Sequence, residues 1–401
     1  MNRSVFSKTL FIVLFDLLII GLAFGSGFGV AYFVQQKGLF AQHDIKLDTF
    51  WDVWQLIEKD YIGNLPSPQA RAYGAIRGSL TALNDPYTVF VEPQSHQREK
   101  EDLRGSFGGI GVTMRRDASG DLVLTPLPDS PALKAGIEDG DILISVDGKP
   151  ITPTMSYDDV AAVVRGQVGT QVKITVQRAG QSEPIEFSIM RQVIETPSVS
   201  SRILQDSPQI GYLAIDHFTE RTGDEVQSAL KDLKQKGARQ IVFDLRDNGG
   251  GLLDSAVDVA SQFISDGVVL YEKQKGQDER TFQVKPGGLA TDLPVVVLVN
   301  RATASASEIV AGALRDRGRA ILIGEQTYGK GSVQHIYDLS DSSSLHVTTA
   351  EWLTPKRSRL SGQGLVPDIT VVRTPEEANA GRDVQLEAAI EALLQVELSE
   401  N

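Results

Sequence analysis

The chain has 401 residues, which is too long for one ordinary core and predicts two or three domains, and its 41% hydrophobic content is that of a folded globular protein. The formal net charge of -13 argues against nucleic acid or an anionic membrane surface as the main partner. The absence of cysteine excludes a thiol nucleophile, disulfides and cysteine-based metal sites.

The N-terminus predicts a membrane segment over residues 1–43, including its linker. Arg3 and Lys8 precede a mostly apolar stretch, residues 9–34, which only Asp16 interrupts. This stretch is long enough to cross a bilayer with its positive flank in the cytoplasm. A cleaved signal peptide is the alternative, but its small-residue site would be poor. We therefore expect a single-pass cell-membrane protein whose folded part is extracytoplasmic.

Residues 44–104 are predicted to form an N-terminal helical region. Apolar residues between Phe50 and Tyr61 share one helical face, and a second helical segment runs from about Gln69 to Leu83. The turn sequence at residues 84–87 ends that segment and is assigned no catalytic role.

Short strands and glycine turns are predicted over residues 105–191. A glycine-rich loop at residues 108–112 is followed by Asp129-Ser130-Pro131-Ala132, Ala135-Gly136-Ile137, Gly140-Asp141-Ile142-Leu143 and Val146-Asp147-Gly148. This order resembles a PDZ domain. The resemblance implies that a peptide's C-terminal carboxylate binds at the loop residues Gly109, Ile110, Gly111 and Val112. Arg165, just after a predicted helix, is either a surface ion-pair residue or a contact that couples this domain to an active site.

Strands and helices alternate over residues 192–373, which predicts an α/β core with largely parallel strands. The predicted strands are 210–215, 240–245 and 295–299, and the predicted helices are 224–236 and 252–264. The acidic tail, residues 374–401, contains a predicted helix over 384–396.

A glycine run at residues 249–251 lies between a predicted strand and a predicted helix. Glycines there let backbone N–H groups approach a ligand at the positive end of a helix. A strand-to-helix turn that needs glycine for its geometry is the alternative interpretation.

Two motifs in the last third of the chain predict nucleophilic chemistry: Thr303-Ala304-Ser305-Ala306-Ser307-Glu308-Ile309 and Tyr328-Gly329-Lys330-Gly331-Ser332-Val333-Gln334. A serine that opens a helix can pair with a lysine whose amine burial keeps neutral. Ser305 and Glu308 also form a capping-box pattern, and the two interpretations are compatible because a helix N-terminus stabilises negative charge.

A near match to a phosphate-binding loop at residues 324–331 is rejected. That loop needs a serine or threonine after the lysine and then a helix. Gly331 has no hydroxyl, and residues 333–337 alternate as a strand does.

The two motifs resemble those of the carboxy-terminal processing peptidases, tail-specific serine proteases that carry a PDZ domain. The resemblance implies that Ser305 is the nucleophile, that Lys330, 25 positions later, is the general base, and that Gln334 completes the site. It also implies an oxyanion hole made by Gly250 or Gly251 together with Ala306, although Gly249 stands where the family usually has proline.

The implied fold is multidomain α/β: a crotonase-like peptidase core with an inserted PDZ domain and an N-terminal helical region. The implied reaction is acyl-enzyme hydrolysis of exported proteins near their C-termini, without metal or cofactor. Protein substrates with free C-termini are the expected partners, and a homo-oligomer is left open. The alternatives are an inactive PDZ scaffold and, less favoured, a nucleotide-binding protein.

The histidines are predicted to have no catalytic or metal role. None of the five has metal-ligand spacing. His335 follows Gln334 directly, so on one strand the two side chains point to opposite faces. They cannot both face Ser305, and Gln334 is favoured. Lys330, the base that the resemblance implies, has to be desolvated to lose its proton near neutral pH.

Overall fold

The structure, a computed structural model, describes residues 47–400 and the side chains of residues 47–395. The first of two units ends at Arg71 and contains helix α1 (Asp48–Asp60). Within this unit the Arg71 guanidinium pairs with Glu58 and lies 5.2 Å from the centre of the Trp54 ring. Helix α2 (Pro68–Thr81) continues into the second unit.

The structure contradicts the predicted location in a membrane. Across residues 47–400, no helix is long and apolar enough to cross a bilayer. The apolar stretch at residues 9–34, on which the prediction depended, lies outside the described residues.

The second unit begins with strand β1 (Val89–Val91) and helix α3 (Pro93–Arg104). Two helices follow, α4 (Pro131–Ala135) and α5 (Tyr157–Val164). The strands around them are β2 (Ser106–Gly109), β3 (Val112–Arg116), β4 (Leu122–Pro126), β5 (Asp141–Val146), β6 (Lys149–Pro150), β7 (Gln171–Gln177), β8 (Ile185–Met190) and β9 (Gln192–Glu195).

These strands form an antiparallel sheet in the order β3-β4-β5-β7-β8, with β6 on β5, while β2 pairs with β9. Strand β3 is therefore at a sheet edge. The alternating burial of β7 places Val172, Ile174 and Val176 in a core that α5 covers with Val160 and Val164.

The α/β core contains a second sheet of six strands. They are β10 (Val199–Leu204), β11 (Ser207–Ile215), β12 (Gln240–Asp244), β15 (Val295–Val299), β16 (Ala320–Gly324) and β19 (Ile369–Thr370). Five of them, from β11 to β19, are parallel neighbours, and β10 is antiparallel to β11. The predicted parallel core is confirmed.

Successive side chains of each strand point to opposite faces of this sheet, and both faces are apolar, so helices cover both. On β12, Phe243 faces helices α6 (Thr222–Gln235), α7 (Leu253–Ala260) and α8 (Ala306–Asp316). Val242 faces the C-terminal helix α10 (Val384–Glu400), which follows the short helix α9 (Pro375–Asn379). The predicted tail helix exists and completes the core.

The remaining strands form a sheet that carries the second motif. They are β13 (Val268–Gln274), β14 (Arg280–Gln283), β17 (Ser332–Asp338) and β18 (Ser344–Leu353). The order is β1-β18-β13-β14, with β17 paired to β18. Because a strand follows Lys330, the rejection of a phosphate-binding loop is confirmed.

Candidate active site

Ser305, Lys330 and Gln334 line one cavity of about 550 Å³. Ser305 comes directly before helix α8, Lys330 comes just before strand β17, and Gln334 is in that strand. Gly251 and Ala306 also line the cavity. The tertiary structure therefore brings together residues that are more than 80 positions apart in the chain.

The Ser305 backbone is strained. Its φ of +56° lies in a region that residues with a Cβ rarely adopt, and such conformations persist only where surrounding contacts enforce them. One enforcing contact is the glycine run: a Cβ on Gly250 would lie 2.8 Å from Ser305 Cβ and 3.0 Å from Ala306 N. Gly250, with φ of +105°, therefore allows the glycine run to pack directly on the serine.

The structure distinguishes the two glycines that the sequence left as alternatives. Gly250 N–H donates to the Asn248 side chain at 2.9 Å. Within residues 47–400, the N–H groups of Gly251 and Ala306 have no hydrogen-bond acceptor. Both are therefore free to bind an oxyanion in the cavity, whereas Gly250 N–H is already occupied.

The second serine of the motif is engaged elsewhere. Ser307 is fully buried, and its hydroxyl donates to the Asn248 backbone carbonyl at 3.0 Å. It therefore joins α8 to the glycine run and does not face the cavity.

The Glu308 carboxylate bonds both to the segment that contains Ser305 and to the segment that contains Lys330. One carboxyl oxygen accepts from Ser305 N–H at 3.0 Å and from Lys330 N–H at 2.9 Å. The other accepts from Gly329 N–H at 2.8 Å and from the Thr327 hydroxyl. Glu308 is fully buried and bonds only the backbone of Lys330, so it forms no ion pair with the lysine amine.

Lys330 has the environment that a lysine base requires. Burial lowers the pKa of its amine below the ordinary value, and the negative charge of Glu99 opposes that shift. The amine lies 5.2 Å from the centre of the Tyr87 ring.

The structure does not bring the three predicted residues into one hydrogen-bonded triad. No hydrogen bond joins the Ser305 hydroxyl to the Lys330 amine in the described part of the chain. The Gln334 amide donates to Ser332 Oγ at 2.9 Å and to Thr348 Oγ1 at 3.3 Å, so it does not hold the lysine. Catalytic hydrogen bonds often form only once substrate is bound.

The predicted peptide-binding loop, Gly109 to Val112, connects β2 to edge strand β3 and lies outside this cavity. At the far end of β3, Arg116 N–H donates to the Tyr157 hydroxyl of α5 at 2.9 Å. By strand alternation, the N–H groups of Val112 and Met114 face the same side. A peptide that pairs with β3 would therefore find the N–H group of Arg116 already bonded to the Tyr157 hydroxyl.

Arg165 connects α5 to the helix beside the cavity. Its guanidinium lies 3.9 Å from the centre of the Phe107 ring and 3.7 Å from the Glu101 carboxylate on α3. Glu99, two residues before Glu101, lines the cavity.

Glu99 and His346 are among the cavity residues that the sequence interpretation missed. The only local signal was the spacing of His96 and Glu99, one turn apart on a helix. His335, by contrast, is exposed and contacts the Tyr337 ring, while Gln334 bonds to Ser332. Gln334 lines the cavity, whereas His335 does not.

Comparisons with known proteins give the family. Peptidase family S41 matches residues 209–371, and a PDZ domain matches residues 122–178. A carboxy-terminal-processing protease of Bartonella bacilliformis is 36% identical over 346 residues, which are 85% of this chain and 78% of that relative. A carboxyl-terminal-processing protease of a Synechocystis species is 34% identical over 348 residues, 85% of this chain and 81% of the relative.

Among solved structures, a photosystem II D1 C-terminal processing protease is 32% identical, with a TM-score of 0.46, and the match covers 80% of this chain and 86% of that one. The curated relatives show the family by identity and coverage together. The chain therefore belongs to the carboxy-terminal-processing proteases of peptidase family S41, which are serine-type peptidases, and it carries a PDZ domain.

Proposed function

We propose that the protein is an endopeptidase that cleaves protein substrates near their C-termini with a Ser305–Lys330 pair. The observation that carries this proposal is the shared cavity, in which Ser305 adjoins two unoccupied N–H groups and faces the space that the half-buried Lys330 also lines. The known family restricts the reaction to peptide-bond hydrolysis.

In the proposed mechanism, neutral Lys330 takes the proton as Ser305 Oγ attacks the peptide carbonyl carbon. Gly251 N–H and Ala306 N–H donate to the oxyanion, helped by the positive end of α8. Collapse breaks the C–N bond, and Lys330 returns the proton to the leaving amine. Water then hydrolyses the acyl-enzyme, with Lys330 again acting as base.

Catalysis also requires a rearrangement of the described geometry. Ser305 Oγ and the Lys330 amine must come within hydrogen-bond distance, about 2.6–3.2 Å. The Gln334 NH₂ group now donates to Ser332 and Thr348. In the catalytic arrangement we propose that the side chain moves so that its amide oxygen accepts a hydrogen bond from the lysine amine. The site described here is the resting form.

The PDZ domain, which we assign to residues 105–191, is proposed to select free C-termini. The carboxylate would bind N–H groups of the Gly109–Val112 loop, and the peptide would add to the open edge of β3. Arg165 is proposed to couple peptide binding to the cavity, because it contacts α3, the helix that carries Glu99. We assign residues 192–373 to a crotonase-like peptidase core.

Two lysine variants test the mechanism. Lys330→Arg should be nearly as inactive as Lys330→Ala, because arginine keeps the positive charge but does not release its proton near neutral pH. Ser305→Ala should lose both hydrolysis and labelling by a serine-directed covalent probe. Ser307→Ala, if folded, should keep substantial activity. Near-wild-type turnover by folded Lys330→Arg would exclude the lysine base, and an unlabelled wild-type protein would favour the inactive PDZ scaffold.

A further inference from the structure

Three side chains converge beside the active-site cavity, and two of them, Glu99 and His346, line it. His96 Nδ1, Glu99 Oε2 and His346 Nε2 all lie within 4.8 Å of one another. Glu99 Oε2 is 3.9 Å from His96 Nδ1 and 3.1 Å from His346 Nε2. His96 and Glu99 are one turn apart on α3, and His346 is on β18. The fold brings them together because β1, which precedes α3, pairs with β18 at the Val89–His346 position.

None of these three atoms has a hydrogen-bond partner, although all three are buried. The 3.1 Å contact between Glu99 and His346 is not aligned as a hydrogen bond, so it satisfies neither atom. Buried nitrogen and oxygen atoms are nearly always paired in native structures. Three unpaired atoms aimed at one point indicate a ligand that they bind together.

The hydrogen-bond partner of His96 Nε2 indicates which ring nitrogen carries a proton. His96 Nε2 lies 2.7 Å from Asp338 Oδ1, a carboxylate that can only accept, so the proton is on Nε2. In the neutral imidazole, Nδ1 then presents its lone pair to Glu99 and His346. A carboxylate that orients a histidine in this way is typical of metal-binding histidines.

We propose that His96, Glu99 and His346 form a binding site for Zn²⁺. Two imidazoles and one carboxylate suit zinc, whereas Mg²⁺ and Ca²⁺ prefer oxygen ligands alone. Tetrahedral zinc with bonds of about 2.0–2.2 Å separates its ligand atoms by about 3.3–3.6 Å. The two separations that involve Glu99, 3.1 and 3.9 Å, bracket that range, and the two histidine nitrogens lie within 4.8 Å of each other, so small side-chain shifts would complete the site.

Because Glu99 and His346 also line the active-site cavity, the ion would lie beside that cavity. The site uses none of the residues proposed for the Ser–Lys reaction, so it does not depend on that mechanism. A dication there would reverse the sign of the charge that Glu99 places beside Lys330.

The test is a titration of the untagged, chelator-stripped full chain with Co²⁺, followed by visible absorption, and then displacement by Zn²⁺. Wild type and Ser305→Ala should bind one ion equally well and melt at a higher temperature with Zn²⁺. Asp338→Asn should weaken binding by about 10–100-fold, and His96→Asn, Glu99→Gln and His346→Gln should each weaken it more.

His335→Gln is the matched control, since it removes an exposed histidine that is not part of the site, and it should not change the affinity. Absence of saturable binding by the wild type at millimolar Co²⁺ would overturn the proposal. Undiminished affinity in folded His96→Asn and His346→Gln would overturn it as well, because the ion would then be bound elsewhere. Equal binding by Ser305→Ala separates this result from any failure of the proposed peptidase mechanism.

Discussion

Replacing Glu308 with glutamine tests whether one buried carboxylate fixes the positions of Ser305 and Lys330 relative to each other. The side chain keeps its size, so no cavity is created. One of the two oxygens becomes an NH₂ group, which cannot accept a hydrogen bond. If the NH₂ group faces Ser305 N–H and Lys330 N–H, both of them face another donor. If it faces the other side, the Thr327 hydroxyl can rotate and accept from it, so Gly329 N–H alone faces another donor.

The magnitude follows from the one or two bonds that are lost. A hydrogen bond to a charged group contributes about 1.5–3 kcal/mol, so these losses remove about 1.5–6 kcal/mol. Removing the buried charge offsets part of this loss, and we expect the free energy of unfolding to fall by about 1–4 kcal/mol. For a core of this size, that lowers the melting temperature by about 2–15 °C. A misplacement of the reacting groups by about 1 Å should also reduce hydrolysis by about 100-fold.

The assay combines thermal melting followed by circular dichroism with hydrolysis of a peptide at a temperature where the variant remains folded. Glu351→Gln is the matched control: its side chain is 45% exposed and its nearest cation, on Arg359, is 3.7 Å away. That variant should change stability by less than about 0.5 kcal/mol. If Glu308→Gln melts like the control and keeps activity within a few-fold of wild type, the four hydrogen bonds do not hold the site together.

Three further outcomes are expected. Wild-type hydrolysis should rise with pH through a Lys330 pKa below the ordinary value of about 10.5, because only the neutral amine accepts a proton and burial favours it; a rate that falls as pH rises from about 6 to 9 would contradict this. Gly250→Ala should lower kcat/KM by at least about 100-fold, since its Cβ would lie 2.8 Å from Ser305 Cβ. Gly249→Ala, whose Cβ meets nothing within 4 Å, should stay within a few-fold of wild type, and equal losses would refute the packing argument. Tyr157→Phe should strengthen peptide binding by about 2–10-fold in a calorimetric titration, because it frees Arg116 N–H; amidating the peptide's C-terminus should weaken binding to both proteins, and unchanged affinities would count against carboxylate capture.

Much of the peptidase was predictable because its signals are local. Ser305, Ala306 and Glu308 lie within one helical turn, and Lys330 and Gln334 are separated by four residues, so short-range spacing indicates both motifs. Periodicity likewise predicted the parallel strands, since side chains alternate at every second residue of a strand. The predicted membrane location depended on the hydropathy, length and positive flank of residues 3–34, and it was wrong: no helix of the described residues is long and apolar enough to cross a bilayer.

Other features depend on which segments meet, and only the tertiary structure decides that. The choice of Gly251 over Gly250 depends on the Asn248 side chain, which occupies one N–H group and leaves the other free. The convergence of His96, Glu99 and His346 depends on the pairing of β1 with β18, strands about 250 residues apart in the chain. Sequence spacing predicts which residues share a single helical turn or strand. The distances between segments are determined by strand register and packing, which no local pattern encodes.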